Sequence, residues 1–173
     1  MVLIFGYTMN IKAWLGKGII LTVISLLLFS FKVSYFELDQ KSRTRIYSEI
    51  ENAFNTETYK INTIDGTFFS ILEQDSIMGY LAITDAPSKF HRFDYYVLFD
   101  SKADILKVEI LHYRENYGAE ICSKRWLRKF INIDTENTAS YYRKIDAISG
   151  ATISVNSLKK NVLSTCKKLK LKL

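Results

Sequence analysis

Two polar clusters, Glu73-Gln74-Asp75-Ser76 and Asp100-Ser101-Lys102-Ala103-Asp104, each separate a pair of apolar runs. Connections this short can join antiparallel strands but not parallel ones, which need a crossover of a dozen residues or more. The flanking runs are Thr67 to Leu72 with Ile77 to Thr84, and Phe93 to Phe99 with Ile105 to His112. A further short strand is expected where Tyr59, Ile61 and Thr63 alternate with Lys60 and Asn62. Helical spacing appears on both sides of this block. Ile46, Ile50 and Phe54 recur between Asp39 and Asn55, and Ile121, Trp126, Leu127 and Phe130 recur between Ala119 and Ile131. From Val155 onward, Val155, Leu158, Val162, Cys166 and Leu169 fall on one face with lysines opposite. The expected class is α+β, an antiparallel sheet with packed helices.

The first residues are patterned differently. Lys12 and Lys17 precede an apolar run from Gly18 to Phe31, which extends to Phe36 if Lys32 snorkels. That length approaches the roughly 20 residues needed to span a bilayer. With no A-x-A-like cleavage site and no lipobox cysteine, a signal-anchor helix is favoured over a cleaved signal peptide. The chain therefore divides into a leader at 1–36, a linker helix at 37–60 and a domain at 61–173. Lys32, Lys41, Arg43 and Arg45 follow the run, so the positive-inside count does not itself choose an orientation. Met9-Asn10-Ile11-Lys12 also reads as an ordinary leader opening.

A net charge of +6 is concentrated at the C-terminal end. From Lys124 onward only Asp134, Glu136 and Asp146 oppose a long series of lysines and arginines. Such a bias suits a solvated helix face, an anionic surface or a phosphate-bearing cofactor. Nucleic acid is disfavoured, since neither a helix-turn-helix nor an RNP-like signature is present. Two His and two Cys without metal-ligand spacing give no metal site. Cys122 and Cys166 both fall at apolar helical positions, where two separate packed thiols are expected in preference to a disulfide. His91 is expected at a strand edge and His112 at a strand end, both in structural roles.

The chemistry is concentrated in Asp146-Ala147-Ile148-Ser149-Gly150-Ala151-Thr152-Ile153-Ser154. Gly150 and Ala151 leave the backbone open to close approach. Ser149, Thr152 and Ser154 place hydroxyls at the start of a helix, where unpaired N–H groups and the dipole favour an anion. The same residues also suit a plain helix-capping turn.

Asp-x-x-Ser-Gly-Ala-Thr-x-Ser resembles the flavinylation motif of the FMN-binding domain family, whose members include flavin-carrying subunits of the sodium-translocating NADH:quinone reductase and of the Rnf complex. Ala147 stands where that family often has Gly. Gly79-Tyr80, and Glu115-Asn116-Tyr117-Gly118 before a helix, are similar to the family's landmarks, with Asn116 in place of the usual Thr. The resemblance runs from about Gly66 to Val162. It implies covalent FMN, joined as a phosphoester to Thr152 by a flavin transferase that cleaves FAD. It also implies that Ser149, Gly150, Ala151 and Ser154 surround the phosphate, and that Glu115, Tyr117 and Gly118 help form the flavin site. Asp146 would cap the loop or bind a metal used during attachment, or simply form an Asx-turn. Tyr117 and Trp126 are the candidate flat partners for the isoalloxazine.

The function so implied is a membrane-associated electron carrier on the extracytoplasmic, periplasmic side, exchanging electrons with a membrane reductase or other electron-transfer proteins. No catalytic residue is assigned, because no nucleophile–base pair or dinucleotide fingerprint is present. An exported binding module without redox activity, and a flavin-dependent reductase, remain the alternatives.

Overall fold

The computed structural model describes residues 38–173 apart from Asn132 and Asp134. The expected anchor over 1–36 lies outside the described residues. Among those described, no helix is long and apolar enough to cross a membrane.

Five strands form one sheet in the order β1-β2-β3-β4-β5. They are β1 (Lys60–Thr63), β2 (Phe68–Glu73), β3 (Ser76–Pro87), β4 (Arg92–Asp100) and β5 (Ile105–His112). Every neighbouring pair is antiparallel. Both expected turns are present. Gln74 and Asp75 take positive φ at the tip of the first, and Ala103 does so in the second. Asp100 closes that second turn by accepting the N–H groups of Lys102 and Asp104 through its carboxylate, each at 2.9 Å. Gly79 lies inside β3. A Cβ there would meet the Phe99 carbonyl and the Phe54 ring, so its absence lets that ring lie on the strand.

The sheet is covered on both faces, which explains why β4 is buried along nearly its whole length. Alternation sends Phe93, Tyr95, Val97 and Phe99 to one face and Tyr96 and Leu98 to the other. Helix α1 (Gln40–Phe54) covers the second face, with Ile46 and Ile50 against Ile71, Leu81 and Leu98. The helix expected as a linker is thus packed on the sheet. Asp39 caps it by accepting the Ser42 N–H at 2.8 Å, and the same carboxylate pairs with His112 at the end of β5.

The first face is covered mainly by a long C-terminal helix at Thr152–Lys170. It buries the expected stripe of Val155, Leu158, Val162, Cys166 and Leu169. Between sheet and helix the chain departs from expectation. The single helix predicted over 119–131 is three short turns: a 3-10 turn Ala119–Cys122, α2 (Lys124–Leu127) and a 3-10 turn Arg128–Phe130. Ser123 breaks it by adopting an extended conformation and capping the next turn through its hydroxyl. The sequence reading also missed α3 (Thr138–Lys144), capped by the Asn137 side chain on Ser140 N–H at 3.0 Å. The C-terminal helix is therefore α4. Both cysteines are free, and burial pushes the Cys166 thiol up to about 12.

Ile50 has no exposed surface. Ile50→Ala should cost about 2–5 kcal/mol in urea unfolding, the usual range for emptying a buried aliphatic site. A change within about 0.5 kcal/mol, as at exposed positions, would mean that α1 does not complete the core.

Candidate functional site

The Asp146–Ser154 segment is a tight turn leading directly into α4. Ala151 N–H donates to the Ile148 carbonyl at 3.1 Å, and Gly150 takes φ +78. A positive φ at the third residue of such a turn is what a type II turn requires, hence Gly. A Cβ on Gly150 would meet nothing within 4 Å, so backbone strain rather than crowding is its cost there. Ala151 occupies the N-cap position, and no side chain caps the helix. The hydroxyls of Ser149, Thr152 and Ser154 therefore do not serve as caps. The N–H groups of Thr152, Ile153 and Ser154 donate to no acceptor among the described residues. These are the orphan donors of a helix start, left open.

Several contacts fix this turn from behind. The Lys159 ammonium reaches out of α4 to the carbonyls at the end of α3, donating to Tyr142 at 2.8 Å and Ile145 at 2.9 Å. Burial pushes its pKa down, and the negative charge of Asp146 works against that shift. Tyr141 OH donates to the Lys159 carbonyl at 2.7 Å. The Trp126 indole N–H donates to the Asp146 carbonyl at 3.0 Å, and Lys129 pairs with the Asp146 carboxylate. Gly118, at φ +76, faces Ala151 so closely that a Cβ would lie 2.8 Å from the Ala151 Cβ.

A cleft of about 370 Å³ opens in front of the turn. Of the residues expected at a site, Gly150, Ala151, Thr152, Ser154, Glu115 and Tyr117 line it. Gly118 stands behind Ala151, while Asp146 and Ser149 are exposed outside the lining. Trp126 does not serve as a flat partner. It is buried, edge-on to Phe130 at 5.5 Å between ring centres. Tyr117 is 45% exposed and remains available.

Sequence reasoning missed the opposite wall, which comes from the β3–β4 connection and the end of β5: Ser88, Lys89 and Tyr113. Pro87, the only proline in the chain, was its one local signal. Ser88 N–H donates to the His91 carbonyl at 2.7 Å, making a closed turn. The Ser88 hydroxyl bonds that of Ser154, which also bonds Tyr113 OH at 3.0 Å. Ser154 is thus a tie between α4 and this wall, not a free hydroxyl. Glu115 holds the other end of the turn, accepting the N–H groups of Phe90 at 2.8 Å and His91 at 3.0 Å.

Three open N–H groups, an exposed Thr152 hydroxyl and an adjoining cleft with an aromatic wall fit a phosphate ester bearing a flat ring system.

The Phe90 N–H holds the Glu115 carboxyl below its usual value, against the opposing effect of desolvation; the His91 N–H and the Ser88 hydroxyl add to the lowering. A folded pKa below the unfolded one gives stability that is present above pH 4.5 and fades as pH falls through the lowered value. Glu115→Gln should therefore melt below wild type at neutral pH, with the difference closing as the pH is taken below about 4.5. A gap that stays constant with pH would exclude this charge as the anchor of the turn.

Residues 92–167 match the model of the FMN-binding domain family. No curated protein matches the chain. The matched span starts with β4 and ends inside α4, so it is narrower than the landmarks suggested. It contains Glu115–Gly118, the motif turn and Thr152, though not the Ser88–Lys89 wall. This match, and the motif turn it encloses, support an FMN-binding domain over residues 92–167.

Proposed function

We propose that this protein is an electron carrier holding FMN covalently on Thr152. One observation carries the reading: Thr152 is an exposed hydroxyl at the first position of a helix whose N–H groups have no side-chain cap, facing a cleft. A flavin transferase would join the Thr152 Oγ to the FMN phosphorus of FAD. The bond broken is the pyrophosphate link, AMP leaves, and the hydroxyl proton is lost. The N–H groups of Thr152, Ile153 and Ser154 would then receive the phosphate oxygens, stabilised by the positive end of the helix dipole. FMN supplies the redox chemistry, and the chain supplies attachment and surroundings.

The cleft favours a carrier over a reductase with its own substrate. Its one carboxylate, Glu115, is occupied by two backbone N–H groups, which leaves it poorly placed for proton transfer. The apolar run at 18–36 supports a single N-terminal anchor, and the leader pattern with the family resemblance favours the domain on the extracytoplasmic side. The electron partners would then be a membrane reductase or other electron-transfer proteins.

Co-produced with a flavin transferase, wild-type protein should fluoresce as a flavin on a denaturing gel, and Thr152→Val should not. Fluorescence persisting in Thr152→Val would overturn the attachment site. Protease added to intact spheroplasts should remove the labelled domain. Cleavage only after lysis would place the domain in the cytoplasm and exclude the extracytoplasmic reading.

A further inference from the structure

The β3–β4 turn is built more firmly than an exposed loop requires. Ser88 is tied to α4 through Ser154, the turn is closed by the Ser88 N–H on the His91 carbonyl, and Glu115 holds Phe90 and His91. One oxygen of the Glu115 carboxylate accepts both the Phe90 and the His91 N–H groups. Yet the two residues so fixed project outward. Phe90 is 67% exposed, and Lys89 is exposed with no carboxylate partner among the described residues. The Lys89 ammonium lies 5.0 Å from the centre of the Phe90 ring and 6.0 Å from that of Tyr117. Lys89 and Tyr117 both line the cleft that contains Thr152. An unpaired cation between two exposed aromatic faces, on a pinned turn, is a seat for a flat ring that carries or acquires negative charge.

Resting on the assignment of Thr152 as the FMN tether, the geometry points to Lys89 as the residue that tunes this flavin, its ammonium facing the ring edge that becomes negative on reduction. Two electrons and one proton entering the neutral ring leave one net negative charge on it. A cation at that edge favours the reduced form and raises the midpoint potential. Glu115 is then a positioning residue: it holds the backbone on the far side of Lys89 through the Phe90 and His91 N–H groups. Phe90 and Tyr117 limit where the ring can lie, and Tyr117 is close enough to stack on it.

The test uses labelled full-length protein, reduced stepwise with dithionite beside a reference dye at pH 7. Compared at equal flavin content, Lys89→Met should titrate at a more negative midpoint than wild type, with Lys89→Arg close to wild type. Since Lys89 is exposed, neither change threatens the fold. Tyr117→Leu should raise the flavin emission of native protein towards that of denatured protein, because a stacked tyrosine quenches it. A fully labelled Lys89→Met with an unshifted midpoint overturns the inference and leaves the Thr152 assignment standing. Lys89→Met protein without label, beside labelled wild type, places Lys89 at attachment and likewise overturns its role at the ring. Wild type that takes no label overturns both readings together.

Discussion

The position of the Thr152 turn depends on one buried ammonium. Lys159 sits two turns into α4, and its Nζ supplies donors to carbonyls at the end of α3 that would otherwise be left unsatisfied as the chain leaves the helix. Desolvation disfavours the charge. Two carbonyl oxygens, the face of Tyr142 at 5.2 Å and the field of Asp146 offset that cost. Because α3, the motif turn and α4 are consecutive, this bond network fixes both ends of the segment that carries Gly150 and Ala151. A substitution that keeps the shape and removes the donors would free the turn without emptying the core.

Asp146 gains a physical account from the same network. A carboxylate beside a phosphate diester would be repelled by it. The structure instead directs Asp146 away from the cleft, paired with Lys129 and exerting its field on Lys159. Its backbone carbonyl receives the Trp126 indole N–H, which joins the motif to the short α2 turn. The motif aspartate therefore organises the basic residues behind the turn. Trp126, read from sequence as a partner for a flat ring, contributes through that one hydrogen bond and through its packing on Phe130.

What was legible in the chain was whatever rests on period. The β2–β3 and β4–β5 hairpins, α1 and α4 follow from alternation or helical spacing with turn residues at fixed places. The Thr152 motif was legible through its resemblance to a family pattern, because hydroxyls ahead of a periodic helix equally suit a plain capping turn. The rest depended on long-range contacts. The apolar spacing over 119–131 suits one helix, but Ser123 caps a new turn within it, and no local pattern shows that the sheet and α4 need three short pieces there. Helix α3 is seven residues long, too short for a periodic signal. Ser88 and Lys89 look like an ordinary polar connection. Their place is set by Ser154, distant in sequence, and by Glu115, which nothing near the turn announces.

An uncapped helix start is a local defect, since the other α-helices among the described residues are capped by side chains: Asp39 for α1, Ser123 for α2 and Asn137 for α3. Omitting a capping side chain typically costs about 1 kcal/mol. Serine and threonine are at hand, yet Ser154 bonds Ser88 and Tyr113, and Thr152 faces the cleft. Folding alone would favour a cap, since the helix is held in any case by the stripe from Val155 to Leu169 and gains nothing structural from open donors. Local rules are most often broken where function requires it. A capping side chain at α4 would occupy the N–H groups that a phosphate needs, and a residue larger than Ala at the N-cap would press on Gly118. The small residues, the left-handed glycine and the missing cap act together: they keep the positive end of α4 open beside the Thr152 hydroxyl, while burial of the opposite face of the helix supplies the stability.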